Sequence, residues 1–296
     1  ATDEHGWGCD AVWNDDYHHA LRVALTGEQH EYYANYRGAD DVATAWTNRW
    51  VYSGQYSPGF GRSHGAAADG LAHRRFVVFD TNHDHVGNTP RGDRLLADDG
   101  PGDPRHRLAM AAVLLSPFTP LLFMGEEYGE LAPFPYFVDH GDPDLVEAVR
   151  QGRTREFSGA DWDGAVADPA DPSTFSSAVL DLTLTEREPH RSRLAMCTEL
   201  LRIRRELAVL TDPAADQQVS SVGGAVIVER SVPGTAARLV LNFSPEPITA
   251  DTGGQRPATA HVAFDSDDPR WGGGGEGEAV APWSARLVLS SGSPAT

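Results

Sequence analysis

The residues with the clearest chemical potential are Asn82, His83 and Asp84, which directly follow a short apolar segment at Phe76–Phe79. A run of branched and aromatic residues this short is typical of a strand buried on both faces of a parallel α/β sheet. Polar side chains at the carboxyl end of such a strand lie where α/β barrels carry their active sites. Asp84 could therefore act as a catalytic carboxylate, with His83 donating a hydrogen bond to a ligand. The alternative is that Asp84 caps the next turn and His83 only packs.

Two other groups of polar residues could take part in chemistry. Glu126-Glu127-Tyr128 follows another apolar run, where it could face the same edge of the sheet or form a solvated acidic loop. His83 and His85 form an H-x-H pair, but it lies past the expected strand end and nothing completes a ligand set, so no metal is predicted. His18 and His19 are adjacent on a helix and point in different directions. The chain lacks H-E-x-x-H, G-x-x-x-x-G-K-[ST] and C-x-x-C, so metalloprotease and nucleotide-binding functions have no support.

Three strand–helix units are predicted before residue 212, an order that indicates a parallel α/β sheet. In order they are a strand at Gly8–Trp13 with a helix between Asn14 and Gly27, a strand at Phe76–Phe79 with a helix opened by Asp103-Pro104, and a strand at Pro120–Met124 with a helix opened by Pro189. Residues 28–70 and 129–188 are predicted as loops, apart from one helical stretch near Asp40–Trp50. A complete (β/α)8 barrel needs about 250 residues and eight units, so these units are interpreted as the closing part of a barrel.

After residue 212 the pattern changes to short strands separated by Pro, Gly and Asp. The predicted strands are Ala225–Val228, Ala237–Leu241, His261–Phe264 and Ala285–Leu289. This spacing predicts a small antiparallel β-sandwich.

The composition excludes several classes of partner. The net charge of −19 argues against nucleic acid and anionic membranes, because both would repel the chain, whereas a neutral ligand such as a sugar is compatible with it. No apolar run approaches the roughly 18 residues of a membrane span. Cys9 and Cys197 both lie in apolar stretches and are predicted to be free, buried thiols in a reducing cytoplasm.

Several motif blocks resemble the maltooligosyltrehalose trehalohydrolases, a family of the α-amylase superfamily of glycoside hydrolases. The blocks are Asp10–Leu21 with Ala24–Glu28, Asn82-His83-Asp84 with Gly87-Asn88 and Gly92-Asp93-Arg94, Met124–Tyr128 with Pro133–His140, and Ala148–Phe157. Asn-His-Asp alone indicates only the superfamily, whereas the D-D-[FY]-H-H motif of the first block, together with the F-x-D-H motif at Phe137–His140 and the last block, is specific to this family. The resemblance covers about residues 8–210 well and the C-terminal strands loosely.

The resemblance implies a fold, an activity and a set of site residues. Residues 1–212 would be the C-terminal portion of a catalytic (β/α)8 TIM barrel, from about strand 6 to helix 8, and residues 213–296 a C-terminal β-sandwich domain. The family cleaves the α-1,4-glucosidic bond next to the terminal trehalose of maltooligosyltrehalose, without a cofactor and in the cytoplasm. Asp84 would stabilise the transition state. The implied substrate-binding residues are His83, Asn82, Asp16, His19, Trp13, Arg94 and Glu127. The expected partner is maltooligosyltrehalose or another α-glucan, not nucleic acid or membrane.

One departure from the family pattern concerns the catalytic pair itself. In the superfamily the nucleophilic Asp and the acid Glu follow the fourth and fifth barrel strands, ahead of the block that begins at Asp10. Glu4 is too close to that block and no R-x-D motif precedes it, so the chain is expected to lack both residues and to be an inactive, truncated fragment. Pro90 and Arg91 also stand where the family shows an Asn-Arg-Ala-like run.

Two alternatives remain open, and one physical expectation follows from truncation. The chain could belong to another α-amylase relative such as a glucan-branching enzyme, or it could be a non-catalytic carbohydrate-binding remnant. Half a barrel would leave open sheet edges, so the isolated chain is expected to be poorly soluble or to oligomerise.

Overall fold

A computed structural model of the chain describes residues 7–96, 99–100, 102–157, 166–249, 259–275 and 277–291. Its helices are α1 (Asp15–Thr26), α2 (Ala39–Asn48), α3 (His83–Gly87), α4 (Pro104–Leu114), α5 (Pro143–Glu156), α6 (Pro172–Ser177) and α7 (His190–Glu206). Its strands are β1 (Val12–Trp13), β2 (Ser53–Ser57), β3 (Arg62–Gly65), β4 (Phe76–Val78), β5 (Thr119–Pro120), β6 (Asp216–Val222), β7 (Ala225–Val232), β8 (Thr235–Asn242), β9 (Ile248–Thr249), β10 (His261–Asp265), β11 (Ala279–Val280) and β12 (Ser284–Ser290).

The first part of the chain is organised around a parallel sheet with the order β1-β4-β5. Val12 pairs with Phe76, and Val77 pairs with Thr119. Helices follow these strands, as the strand–helix order predicted. Because the strands are parallel, their carboxyl ends and the polar residues that follow them share one edge of the sheet.

Two helices begin as their sequences predict. The Asn14 side chain accepts a hydrogen bond from the Tyr17 backbone N–H at the start of α1, and Gly27 closes that helix in the left-handed conformation. Asp103 caps α4 by accepting from the Arg105 backbone N–H, with Pro104 in the first turn. Both helices therefore begin with an N-cap side chain that accepts a hydrogen bond from a first-turn backbone N–H, a group that has no partner within the helix.

Several elements were missed or drawn too long. The helical stretch predicted near Asp40–Trp50 is confirmed as α2, whereas the hairpin β2–β3 was missed in residues 28–70. Helices α5 and α6 were missed in residues 129–188, which were predicted to be loop. The strand predicted at Pro120–Met124 ends at Pro120, the last residue of β5. The chain then turns, and Glu126 Oε2 accepts a hydrogen bond from the Phe123 N–H at 2.7 Å. Residues 61–65 read G-x-S-x-G, but they form an exposed hairpin strand and not the strand-to-helix turn of a hydrolase nucleophile.

The C-terminal part is a five-stranded antiparallel sheet with the order β10-β12-β8-β7-β6. Val226 and Val228 face the main hydrophobic core, and Ala225 and Ile227 face a smaller cluster that contains Val280 of the β9–β11 ribbon. The sheet is thus covered on both faces, in the manner of a small sandwich. β6 was missed because it is an edge strand with few apolar residues. The proposed domain division at residues 212 and 213 remains a prediction.

The cysteines differ from one another. Cys197 is buried, and burial raises the pKa of its thiol to about 12, whereas Cys9 is exposed. The expectation that Cys9 is buried was wrong because the first strand is confined to Val12–Trp13, leaving Cys9 ahead of it. Among the described residues no helix is long and apolar enough to cross a bilayer.

Candidate active site

The segment after β4 is organised by Asn82. This side chain is buried, and its Oδ1 accepts from the backbone N–H groups of Asp84 at 3.0 Å and His85 at 3.1 Å, which makes it the N-cap of α3. Asp84 is therefore fixed in the first helical turn, with 63% of its side chain exposed. The alternative that Asp84 caps this turn was wrong, since Asn82 does so. Asn82, predicted to bind substrate, instead makes its observed contacts with the backbone that carries Asp84.

Asp84 belongs to a group of exposed side chains that we term the rim cluster: Trp13, Asp15, His83 and Asp84. His83 Nε2 lies 3.3 Å from Asp84 Oδ1, and 56% of the His83 side chain is exposed. The His83 ring meets the edge of Trp13 with 5.7 Å between ring centroids, and Trp13 is 44% exposed. The rim cluster thus offers a carboxylate, an imidazole and an aromatic face to solvent at the carboxyl ends of β1 and β4.

Asp15 was not among the predicted site residues, although its neighbour Asp16 was. Partial burial and the neighbouring charges of Asp16 and Asp84 raise the pKa of Asp15. The sequence did contain a signal for it, because Asp15 is the first carboxylate after the β1 strand end. Asp15 is therefore a second acidic group whose electrostatic environment includes Asp84.

Asp16 has a different role in the structure. Its Oδ2 accepts from the backbone N–H groups of Val51 at 2.9 Å and Tyr52 at 2.8 Å, and its Oδ1 accepts from the Tyr36 hydroxyl at 2.7 Å. Charge-assisted hydrogen bonds of this kind are strong. Asp16 therefore ties α1 to the segment that follows α2.

A layer of stacked rings lies beneath this edge, formed by His18, His19, His85 and nearby tyrosines. His18 stacks on His85 with 3.6 Å between centroids, while its Nδ1 lies 2.6 Å from the Asp80 carbonyl. His19 contacts the rings of Tyr33 and Tyr36. The predicted substrate-binding residue His19 thus lies within this layer.

Burial is the main cause of the unusual pKa values in the histidine layer. It lowers the pKa of His85 to about 3 and that of His19 to about 4, and it lowers the pKa of His18 well below the usual value. These rings are neutral at pH 7. Within the part of the chain that the structure describes, no group of three His, Cys, Asp or Glu side chains could hold a metal ion. His83 and His85 contact different neighbours and do not converge.

Arg94 and Glu127 form a separate group near the loop after β5. Arg94 Nε donates to the Ala132 carbonyl at 2.7 Å and Nη1 donates to the Met124 carbonyl at 2.9 Å. Burial lowers the pKa of Arg94, and nearby acidic groups, including the half-buried Glu127, oppose this shift. These hydrogen bonds hold the loop. Glu4, which is too close to the first motif block to be the catalytic acid, lies outside the described residues.

Comparison with known proteins gives a consistent set of relatives. No protein-family profile matches the chain. A malto-oligosyltrehalose trehalohydrolase from Arthrobacter ramosus is 41% identical over 246 residues, which cover 82% of this chain and 42% of that protein. The enzymes of the same name from Deinococcus radiodurans and Saccharolobus solfataricus are 40% and 34% identical and are covered over 39% and 43% of their lengths. The chain therefore spans less than half the length of these curated relatives.

Solved structures agree on the fold. A putative α-amylase from Salmonella typhimurium superposes with a TM-score of 0.80 at 32% identity, over 95% of this chain and 47% of that one. The α-amylase from H. orenii, at 16% identity and a TM-score of 0.51, supports the fold alone. The predicted fold class, the C-terminal part of a (β/α)8 barrel followed by a small antiparallel β domain, is confirmed.

Proposed function

The chain belongs to the malto-oligosyltrehalose trehalohydrolase family, and from this premise we propose that it is the part of such a hydrolase that contributes Asp84 and the rim cluster to the active site. The reaction proposed is cleavage of the α-1,4-glucosidic bond next to the terminal trehalose of maltooligosyltrehalose, which releases trehalose. We further propose that the nucleophilic Asp and the acid Glu are supplied by sequence outside these residues. The chain's coverage of less than half of its relatives supports this division.

The observation that carries the proposal is the exposed Asp84 carboxylate beside His83 at the carboxyl end of a parallel strand. Glycoside cleavage passes through a transition state with oxocarbenium character. A carboxylate that is already fixed in place stabilises the positive charge of this transition state. Asn82 fixes the Asp84 backbone before substrate arrives, so little reorganisation is needed at the moment of reaction. The proposed role of Asp84 is to hold the sugar hydroxyls and stabilise that charge.

The other rim residues have complementary proposed roles. His83 donates a hydrogen bond to a sugar hydroxyl, and the exposed Trp13 ring packs against the apolar face of a sugar ring. The neutral histidine layer below adds no positive charge that would oppose the developing oxocarbenium ion. No cofactor is needed for this chemistry. The proposed partner is an α-glucan, which is neutral, whereas the net charge of −19 would repel nucleic acid and anionic membranes.

The test is trehalose release from maltotriosyltrehalose. We expect none from the 296-residue chain, and release from a longer protein in which it is joined to a family N-terminal half. In that longer protein Asp84→Asn should abolish release, whereas Asp144→Asn, at an exposed position on α5, should not. Equal release from both variants would exclude the proposed role of Asp84. Release by the chain alone that depends on Asp84 would place the nucleophile and acid within it, with Asp15 as the first candidate.

The same samples distinguish the alternatives. Formation of α-1,6 branch points on a linear glucan, without trehalose release, would indicate a glucan-branching enzyme. Saccharide binding without hydrolysis, even by the longer protein, would indicate a carbohydrate-binding remnant.

A further inference from the structure

A cavity of about 160 Å³ lies apart from the rim cluster, between the segment after β4, the loop after β5, and helices α4 and α7. The lining residues are Asp80, Thr81, Arg94, Leu95, Leu96, His106, Met110, Glu126, Glu130, Leu131 and Arg193, with Gly100 and Gly129. Leu131 is 53% exposed and so marks the mouth.

One end of the cavity carries two carboxyl groups that face each other. Glu126 Oε2 accepts the Phe123 N–H, but Glu126 Oε1 and Asp80 Oδ1 are buried without an N–H or hydroxyl donor among the described residues. Burial, followed by the neighbouring Asp80 charge, raises the pKa of Glu126 well above its usual value, and burial raises that of Asp80. The two carboxyl groups therefore favour sharing a proton over carrying two negative charges.

Two arginines border the same space with spare donors. Arg94 Nη2 and Arg193 Nη2 are both buried and have no hydrogen-bond acceptor within the described residues. The guanidinium of Arg193 lies against Gly129, where a Cβ would come within 2.1 Å of Arg193 Nη1. A buried donor left without an acceptor is costly, and this cost would be relieved by a ligand oxygen.

Among the described lining residues, the arginine charges do not exceed those of the carboxyl groups. The two arginines face three carboxyl groups, those of Asp80, Glu126 and Glu130, and Asp80 and Glu126 favour sharing a proton. Glu130 is already satisfied, since it accepts from the Tyr128 hydroxyl and from three backbone N–H groups. His106 is neutral, because burial lowers its pKa to about 3. An anion therefore meets no net positive charge, whereas a hydroxyl can accept from an arginine and donate to a carboxylate oxygen.

The lining also contains apolar side chains, those of Leu95, Leu96, Met110 and Leu131. A ligand with hydroxyl groups along its edge and an apolar face matches both the polar and the apolar lining residues, and this is the chemistry of a sugar ring. Sites for drug-sized ligands enclose roughly 300 Å³ or more, so the cavity is too small for an oligosaccharide. We propose that this cavity is a binding site for a single pyranose unit, separate from the rim cluster and independent of the proposed hydrolase function.

Isothermal titration calorimetry of the 296-residue chain with D-glucose tests the proposal. For a ligand of this size we expect a Kd on the order of 1 mM. Leu131→Trp, which blocks the mouth at an exposed position, should weaken binding at least tenfold. Leu201→Trp is the matched control, an exposed leucine on α7 outside the cavity lining, and should leave the Kd unchanged. Arg193→Lys, which keeps the charge but loses the planar guanidinium, should weaken binding several-fold.

Further arms identify the ligand class and the location. Asp84→Asn should not change the glucose Kd if glucose binds in the cavity. Loss of glucose binding in that variant would show that glucose binds at the rim cluster, which would overturn the proposal. Tighter binding of acetate or phosphate than of glucose would show an anion site instead, and no glucose binding at 50-fold the expected Kd would also refute it. Because trehalose release is not measured here, failure of this site leaves the proposed hydrolase function untouched.

Discussion

The adjacent residues Asp15 and Asp16 give a sharp test of the difference between a residue that holds the fold and one that faces the site. Asp16 accepts three hydrogen bonds, two of them from the backbone N–H groups of Val51 and Tyr52. Asp15 is exposed, and its electrostatic environment includes Asp84. We expect Asp16→Ala to destabilise the protein strongly and Asp15→Asn to have little effect on stability.

The magnitude follows from the groups left behind. Removal of the Asp16 carboxylate leaves two backbone N–H groups without their acceptor, at about 1–3 kcal/mol each when they stay buried, while the Tyr36 hydroxyl can turn to water. Some relaxation of the segment is expected, so we predict a loss of about 3 kcal/mol in the free energy of unfolding. At Asp15 the favourable interaction with the N-terminus of α1 and the repulsion from Asp84 oppose each other, and we predict a change within about 0.5 kcal/mol.

Urea unfolding followed by tryptophan fluorescence measures both variants on the same scale. Ala is a better helix former than Asn, so helix propensity opposes the predicted difference and cannot be its cause. A loss below about 1 kcal/mol for Asp16→Ala would refute the role of Asp16 in tying α1 to the segment that follows α2. A loss for Asp15→Asn as large as that for Asp16→Ala would show that exposure does not separate the two residues.

Three further predictions concern stability. Asn82→Ala should lower the free energy of unfolding by about 1 kcal/mol through loss of the α3 cap, whereas Asn82→Asp should retain most of it; urea unfolding that does not separate these variants would contradict the cap assignment. Since the pKa of His85 is about 3 when folded and near 6.5 when unfolded, protonation favours unfolding as the pH falls below 6.5, by up to about 2 kcal/mol at pH 5. The loss of stability between pH 7 and pH 5 should therefore shrink in His85→Phe, and an unchanged loss would count against burial of a neutral ring. Gly129→Ala should cost more than Gly234→Ala in a thermal melt, because both glycines have positive φ but only the first would place a Cβ against Arg193, and equal shifts would argue against that close packing.

Local signals in the sequence predicted the parts of the fold that depend on local chemistry. Asn14 and Asp103 mark real helix starts, and Gly27 marks a real helix end. The same signal was present at Asp142-Pro143 and Asp171-Pro172, where α5 and α6 begin, but the surrounding sequence is too polar for a helical apolar face to stand out. A helix prediction that requires a periodic apolar face fails for α5 and α6, because few of their side chains are buried.

The candidate site was predictable to the level of the strand end and no further. The sequence places Trp13, His83 and Asp84 at the carboxyl ends of two predicted parallel strands, and the structure brings these three together. It could not show which of Asp15 and Asp16 faces the rim, because successive helical side chains diverge by about 100° and the choice depends on where β1 ends. The Asp80–Glu126 pair was not predicted, since it joins the segments that follow β4 and β5, which contact each other only in the folded chain.

Helix α4 has a consequence for how this molecule can be divided. Every residue from Arg107 to Leu114 is buried, and Arg107 Nε donates to the Ser266 carbonyl beyond β10 at 2.8 Å. One continuous hydrophobic cluster includes α4 together with side chains of both the parallel and the antiparallel sheets. A cut near residue 212 would therefore expose one side of a helix that has no polar face to offer to water. The two regions should melt in a single transition, and neither is a natural module for fusion or transplantation without the other.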